Sequence, residues 1–294
     1  CLKKLSTKVV HIVDKVVLNL WTRCGGKTGI LLCRKFNCGG KTIFITSDRT
    51  LEFFSSVCYN GNMMDIQRIL EENQRAIEGE KRAEFERFRS LLLNYNEKYN
   101  LTAITEEKDV FYKHFLDSSA GSGVFKRGAS VAEIGSGAGF PSVVLKLLRE
   151  DLSFTLLESV GKKCEFLRAV VDNLGLKGMN ILNIRAEDAA REERYREKFD
   201  YSVARAVARM NTLSEYCLPF VKVGGAFVAY KSGDVSEIDE AESAYRELGG
   251  KKREVALYSL PEGYGDRSLA IIEKTKPTPA KYPRGNGKER KSPL

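Results

Sequence analysis

The chain has 294 residues, 43% hydrophobic and 30% charged. That is ample for a large buried core, and the apolar stretches are too short and too interrupted by charge for a transmembrane helix. The net charge of +9 invites a polyanionic partner, but it is concentrated at the two ends: 10 basic against 3 acidic residues in 1–62, 31 against 35 in 63–273, and 7 against 1 in 274–294. Composition therefore excludes a body coated in positive charge.

Residues 1–62 are rich in Cys, Thr, Val and Ile and begin with cysteine rather than methionine. Five of the seven cysteines lie there, Cys1, Cys24, Cys33, Cys38 and Cys58, leaving Cys164 and Cys217 for the rest. No pair has Cys-x-x-Cys spacing, and no apolar leader with a small-residue cleavage site opens the chain. Reduced thiols, no disulfide, no metal site and a cytoplasmic location are expected. Met63 and Met64 precede a clean helix start, so 1–62 is expected to be a poorly ordered extension and Met63 or Met64 the native beginning.

Asp65 is placed to cap a helix over 65–78, with Ile66, Ile69, Leu70 and Ile77 on one face. A second helix over 80–97 carries the stripe Phe85, Phe88, Leu91, Leu92 and Tyr95, which reads as core. A third, over 106–117, holds His114, expected to pack the helix against a sheet. Residues 63–120 thus form a helical cap. From Ser130 strands are expected at 130–134, 153–158, 179–184, 200–205 and 225–231. Helices at 140–149, 161–174, 210–218 and 234–248 alternate with them, the pattern of a mainly parallel sheet covered on both faces. The runs Glu254–Leu260 and Ser268–Glu273, joined by a turn at 261–266, predict a terminal antiparallel pair. This ending suits an α/β class I methyltransferase domain, Rossmann-like, over 121–274, and fits a six-strand dinucleotide fold poorly.

The most informative stretch is Val131-Ala-Glu-Ile-Gly135-Ser-Gly137-Ala-Gly139-Phe-Pro141. An apolar strand breaks into alternating glycines, which permit positive φ and close approach of a ligand, and then into a helix. About twenty residues on, the strand Phe154–Glu158 ends in a carboxylate suited to a ribose diol. Phe140 and Pro141 are expected at the first helical positions, with Phe140 a ring wall beside the ligand. A bulky ring there favours S-adenosylmethionine, which has no phosphate to cradle, over a dinucleotide. A tight turn that uses glycine for packing alone is the alternative.

Residues from about 63 to 294 closely resemble the bacterial small-subunit ribosomal RNA guanine-N7 methyltransferases, also called glucose-inhibited division protein B. The motifs are Tyr99-Asn-Leu-Thr102, His114-Phe-Leu-Asp-Ser118, Glu133 to Pro141, Leu156-Leu-Glu-Ser159 with Lys162-Lys163 and Phe166-Leu167, Arg185-Ala-Glu187, Ala204-Arg-Ala-Val-Ala208 and Lys281-Tyr-Pro-Arg284. The resemblance implies S-adenosylmethionine against Gly135, Gly137, Gly139 and Phe140, with Glu158, Ala186 and Glu187 about the adenosine and Arg205 at the fourth strand's end. It implies a guanine of 16S rRNA, in the small ribosomal subunit, as substrate of an enzyme built on a seven-stranded sheet; a monomer is expected. Glu133 stands where aspartate is commoner, and Ser142 where glycine usually follows the proline.

Guanine N7 carries a lone pair and no proton, so its methylation needs alignment and desolvation more than a general base. The fourth strand ends in Val203-Ala-Arg-Ala-Val-Ala208, without the Asn/Asp-Pro-Pro-aromatic turn of amine methylation or the Pro-Cys of pyrimidine carbon methylation. Arg205 could meet the methionine carboxylate, the guanine O6 edge or a phosphate. Lys231, at the fifth strand's end, is a candidate RNA contact, with a solvated lysine as the alternative. The tail 275–294, with Lys276, Lys281, Arg284, Lys288, Arg290 and Lys291, reads as a flexible basic segment that either touches phosphate or merely solubilises. A methyltransferase for protein or another RNA, or a non-catalytic RNA-binding factor, are the rival functions.

Overall fold

The computed structural model describes Ser56–Tyr59 and residues 62–294; the expected disorder of the front segment falls, up to residue 55, outside these. Strands β1 (Ser56–Tyr59) and β2 (Asn62–Asp65) pair antiparallel, with Cys58 opposite Met63. Met63 and Met64, the expected native beginning, lie in β2. Helix α1 (Ile66–Glu78) starts as its cap dictates, the Asp65 carboxylate accepting from the Arg68 N–H at 3.1 Å. Helix α2 (Arg82–Tyr99) buries Phe85, Phe88 and Leu92 and ends at Asn100, whose left-handed backbone (φ 48°) closes it.

The helix expected over 106–117 is in three pieces: Glu107–Asp109, a π-helical turn Val110–Leu116, and Asp117–Ser119. Local periodicity is blind to the widened turn, because two of its carbonyls accept from Arg205, a side chain on a distant strand.

Seven further strands are β3 (Ser130–Ile134), β4 (Ser153–Glu158), β5 (Met179–Asn183), β6 (Phe199–Arg205), β7 (Val221–Ser232), β8 (Gly250–Ser259) and β9 (Asp266–Lys274). They form one sheet in the order β5-β4-β3-β6-β7-β9-β8, with β9 antiparallel to both neighbours and β5 through β7 parallel. Strands buried on both faces read as continuous apolar runs, as in Phe227-Val-Ala-Tyr230 and Leu269-Ala-Ile-Ile272. The chain moves outward from β3 to β5 and then returns to β6 on the other flank of β3. This reversal leaves a crevice at the carboxyl ends of β3 and β6. This is the expected class I methyltransferase architecture, terminal hairpin included.

One face carries α1, α2, α3 (Ser142–Leu148) and α4 (Gly161–Leu174), whose core runs from Ile66 and Phe88 through Val143 and Phe166 to Leu269. The helical cap thus shares its core with the sheet. The other face carries α5 (Ala186–Ala189), α6 (Met210–Cys217), α7 (Ser236–Glu240) and α8 (Glu242–Glu247). Helix α3 begins at Ser142, two residues later than expected, because Gly139 at φ 83° is still turning the chain. The single helix expected over 234–248 breaks at Ala241.

The tail is the largest departure. Lys274 is fully buried, donating to the Leu218 carbonyl at 2.7 Å and pairing with Glu197 at 3.1 Å. Arg284 grips buried Glu215 through Nε and a terminal nitrogen, and a short helix, α9 (Lys288–Lys291), ends the segment. Its basic composition suggested a free arm, but the acids that fix it lie far away in sequence. Among the described residues no helix is long and apolar enough to cross a membrane, and no cluster of side chains could hold a metal.

Candidate functional site

Three glycines come after β3 with φ of 69° (Gly135), 55° (Gly137) and 83° (Gly139), a backbone that side chains resist. Their surroundings differ. A Cβ on Gly135 would lie 2.9 Å from Val207, and one on Gly139 would lie 2.6 Å from Val143. The space a side chain on Gly139 would need is thus taken by helix packing. Gly137 has only the Gly135 carbonyl near such a Cβ, at 3.8 Å, and is open. Its N–H donates to Oε2 of Glu158 at 2.9 Å, while Oε1 takes the Val160 N–H at 2.8 Å. Glu158 is 6% exposed, so two backbone amides aim a carboxylate across the mouth of the loop and leave each oxygen a lone pair for a ligand hydroxyl.

Ala186 and Glu187 open α5, beside the end of β5, half-buried, with Glu187 3.8 Å from the Arg185 guanidinium. Phe140 does not wall the opening as expected. It is buried, its ring stacked on His114 at 4.4 Å between centroids and packed against Phe88 at 5.4 Å. Those partners come from α2 and the π-helical turn, contacts that the loop motif does not report.

Arg205 lies at the end of β6, and its side chain is only 13% exposed. It pairs with Asp117 at 3.1 Å and donates to the Ser118 hydroxyl at 3.0 Å, the Lys113 carbonyl at 3.0 Å and Nδ1 of His114 at 2.6 Å. Arginine only donates, so Nδ1 must accept and the ring proton sits on Nε2, which donates to the Thr102 hydroxyl at 2.9 Å. Burial, then the Arg205 charge, push the imidazole down to about 3. His114 is neutral with both nitrogens engaged, as a packing histidine should be. Asp117, 5% exposed, also accepts from the Tyr258 hydroxyl at 2.8 Å. Arg205 therefore locks the helical cap onto the sheet.

Lys231 is not a free RNA contact. It donates to the Ala208 carbonyl at 2.8 Å and pairs with Glu237 at 3.0 Å, while the Met210 N–H donates to the same carboxylate. The clasp shapes the turn after β6, where Ala206 takes a left-handed φ of 57°, a conformation found where surroundings overdetermine the backbone.

One residue, and the protonation state of another, escape the motifs. Arg267, at the start of β9, faces Asp117 at 3.8 Å, on the carboxylate oxygen that Arg205 does not take. Its only signal is the Gly265-Asp-Arg267 step into an antiparallel strand, which brings it to the carboxyl edge. Glu133, 1% exposed, accepts the Ser142 N–H at 3.2 Å, keeps Oε2 without a partner, and is raised by burial to about 7. Cys217 is fully buried and its thiol pushed well up, unsuited to nucleophilic attack.

The profile of the GidB family, rRNA small subunit methyltransferase G, matches residues 81–264. A ribosomal RNA small subunit methyltransferase G from Brevibacillus brevis is 48% identical over 217 residues, covering 73% of this chain and 91% of its own. Proteins of the same name from Alkaliphilus metalliredigens and Lachnoclostridium phytofermentans are each 47% identical over 70% and 72% of this chain and 88% of their own. An open glycine facing a fixed carboxylate at the switch point, on the sheet order found here, is thus joined to sequence agreement along nearly the whole of those relatives, and the chain belongs to the GidB family.

Proposed function

We propose that this protein transfers a methyl group from S-adenosylmethionine to N7 of a guanine in 16S rRNA of the small ribosomal subunit. The observation that carries the reading is Glu158, fixed by two backbone amides opposite the open Gly137. That pair fits an adenosine: a carboxylate with spare lone pairs suits a ribose diol, and the glycine leaves room for the ligand's approach. The relatives' names supply the small-subunit rRNA.

S-adenosylmethionine supplies an electrophilic methyl carbon on a sulfonium. The chain's own residues bind and orient. Glu158 takes the ribose hydroxyls, Glu187 and Ala186 border the adenine, and Arg205 keeps the cap closed over the loop through Asp117. The site offers little means of removing a proton. His114 has no free lone pair, Glu133 lies behind the loop against Ser142, and Cys217 is buried. A nucleophile that must shed a proton is poorly served, whereas a purine N7 needs only to be held in line and dry. In A-form RNA that edge faces a deep, narrow groove, so the target lies in a loop or opened helix.

The test is transfer of tritiated methyl to small subunits from cells lacking the modification, followed by nuclease digestion and mass spectrometry. Label in 7-methylguanosine is expected. Label in another nucleoside, or in ribosomal protein, overturns the assignment.

A further inference from the structure

We infer that the C-terminal segment 275–294 is a positioning element of the cofactor cleft, not a free arm for RNA; this rests on the proposed use of S-adenosylmethionine. The segment is bound along its length to two pieces of chain that border the adenosine side. The loop after α5 holds its backbone. Arg191 donates to the carbonyls of Pro283 and Arg284 at 2.8 and 2.7 Å. Arg196 donates to those of Tyr282 and Thr278, both at 2.8 Å, and Glu197 accepts the Thr278 N–H at 2.7 Å.

Helix α6, which comes after β6, holds its side chains. Glu215, fully buried, accepts from the Arg284 backbone N–H, Nε and a terminal guanidinium nitrogen at 2.8, 3.0 and 2.7 Å. Thr212 donates to the Glu289 carbonyl at 2.8 Å, and the Tyr216 hydroxyl takes a hydrogen bond from Arg290. Helix α9 packs on α6, and α6 packs on α5, which carries Glu187. The Glu187 charge is close enough to act on the same Tyr216 hydroxyl. A continuous path thus runs from the tail through α6 to the acid beside the adenine.

Three of the seven cations from Lys274 onward are paired within the fold, while Lys276, Lys288, Arg290 and Lys291 are exposed. Arg284 is committed to Glu215, Lys281 pairs with Glu247 at 2.8 Å, and Lys274 is buried on Glu197. Gly285, at φ 74°, lets the chain pass Arg191, where an added Cβ would lie 2.8 Å from the guanidinium. An arm meant for phosphate alone would leave its central charge in water as well. This one places its central arginine on a carboxylate with no exposure at all, where a bidentate ion pair fixes geometry.

Calorimetry with S-adenosylmethionine, together with kinetics on small subunits, separates the roles. Arg284→Ala should weaken cofactor binding about tenfold, as expected for loss of charged hydrogen bonds that hold a binding wall. KM for the subunit should be unchanged, and Arg284→Lys should recover part of the affinity. Replacing exposed Lys276 and Lys291 together by alanine removes charge without touching the staple and should leave cofactor affinity as it was. Arg290→Ala, a milder break at Tyr216, serves if Arg284→Ala does not fold, and should weaken cofactor binding several-fold. A folded Arg284→Ala or Arg290→Ala chain with parental cofactor affinity overturns the proposal, as does a rise confined to the subunit KM. If the parent chain itself binds no S-adenosylmethionine, the cofactor reading fails instead. Hydrogen exchange at 186–190 then judges the staple alone: faster exchange in Arg284→Ala supports it, and parental exchange overturns it.

Discussion

The two halves of the crevice are built on different principles. The cofactor half is local: a glycine loop, the next strand's terminal acid and two backbone amides, all within about thirty residues of sequence. The half beneath the helical cap is assembled at long range. Arg205 from β6, His114 from the π-helical turn and Asp117 from the short helical piece after it, Tyr258 from β8 and Arg267 from β9 meet in one cluster. Short-range backbone geometry sets the first, and desolvated charge sets the second. The first should tolerate substitution with loss of ligand, and the second only with loss of fold.

Breaking the long-range half gives the largest effect. Arg205→Ala leaves Asp117 buried beside one hydroxyl and a more distant Arg267, and should cost about 3 to 5 kcal/mol in urea denaturation. Arg205→Lys, which restores the charge but not the fork, should recover part of it. An Arg205→Ala protein within about 1 kcal/mol of the parent would remove the cluster's structural role. On the local side, Glu158→Ala should keep the fold and weaken S-adenosylmethionine by about 1.5 to 3 kcal/mol for each charge-assisted hydrogen bond lost. Unchanged affinity in calorimetry would place the cofactor elsewhere.

A pH titration sharpens the contrast, because each half contains a buried group whose titration is shifted within the accessible range, Glu133 in one and His114 in the other. Folded Glu133 keeps its proton up to about pH 7 against 4.5 for the unfolded group. Its contribution is complete below 4.5 and is lost as pH rises to 7. Folded His114 stays neutral down to about 3 against 6.5. Its contribution is complete above 6.5 and is lost as pH falls toward 3. Glu133→Gln should therefore gain stability relative to the parent as pH rises from about 4.5 to 7, by at most ~1.4 kcal/mol per pH unit. A constant difference across that window would show that Glu133 is ionised in the fold.

Legibility in the sequence obeys the same division. The strand ladder, the terminal antiparallel pair, the Asp65 cap and the meeting of Gly137 with Glu158 are encoded by neighbours or by period. The fates of Phe140, Lys231 and the tail are not. Phe140 is claimed by Phe88 and His114, Lys231 by Glu237, and Arg284 by Glu215, sixty-nine residues away. Each departure is a polar or aromatic side chain whose partner lies on another element. Charge and ring type show that a partner exists without showing which.

The π-helical turn at Val110–Leu116 makes the landing place for Arg205. Regular α-helical pairing would commit the Lys113 carbonyl to the amide four residues on; here that oxygen accepts from the guanidinium instead. A single extra residue in the winding thus becomes a socket. Shortening this stretch by one would yield a more regular helix, rotate Asp117 and Ser118 by about 100° around its axis, and leave the arginine's fork with nowhere to plug in.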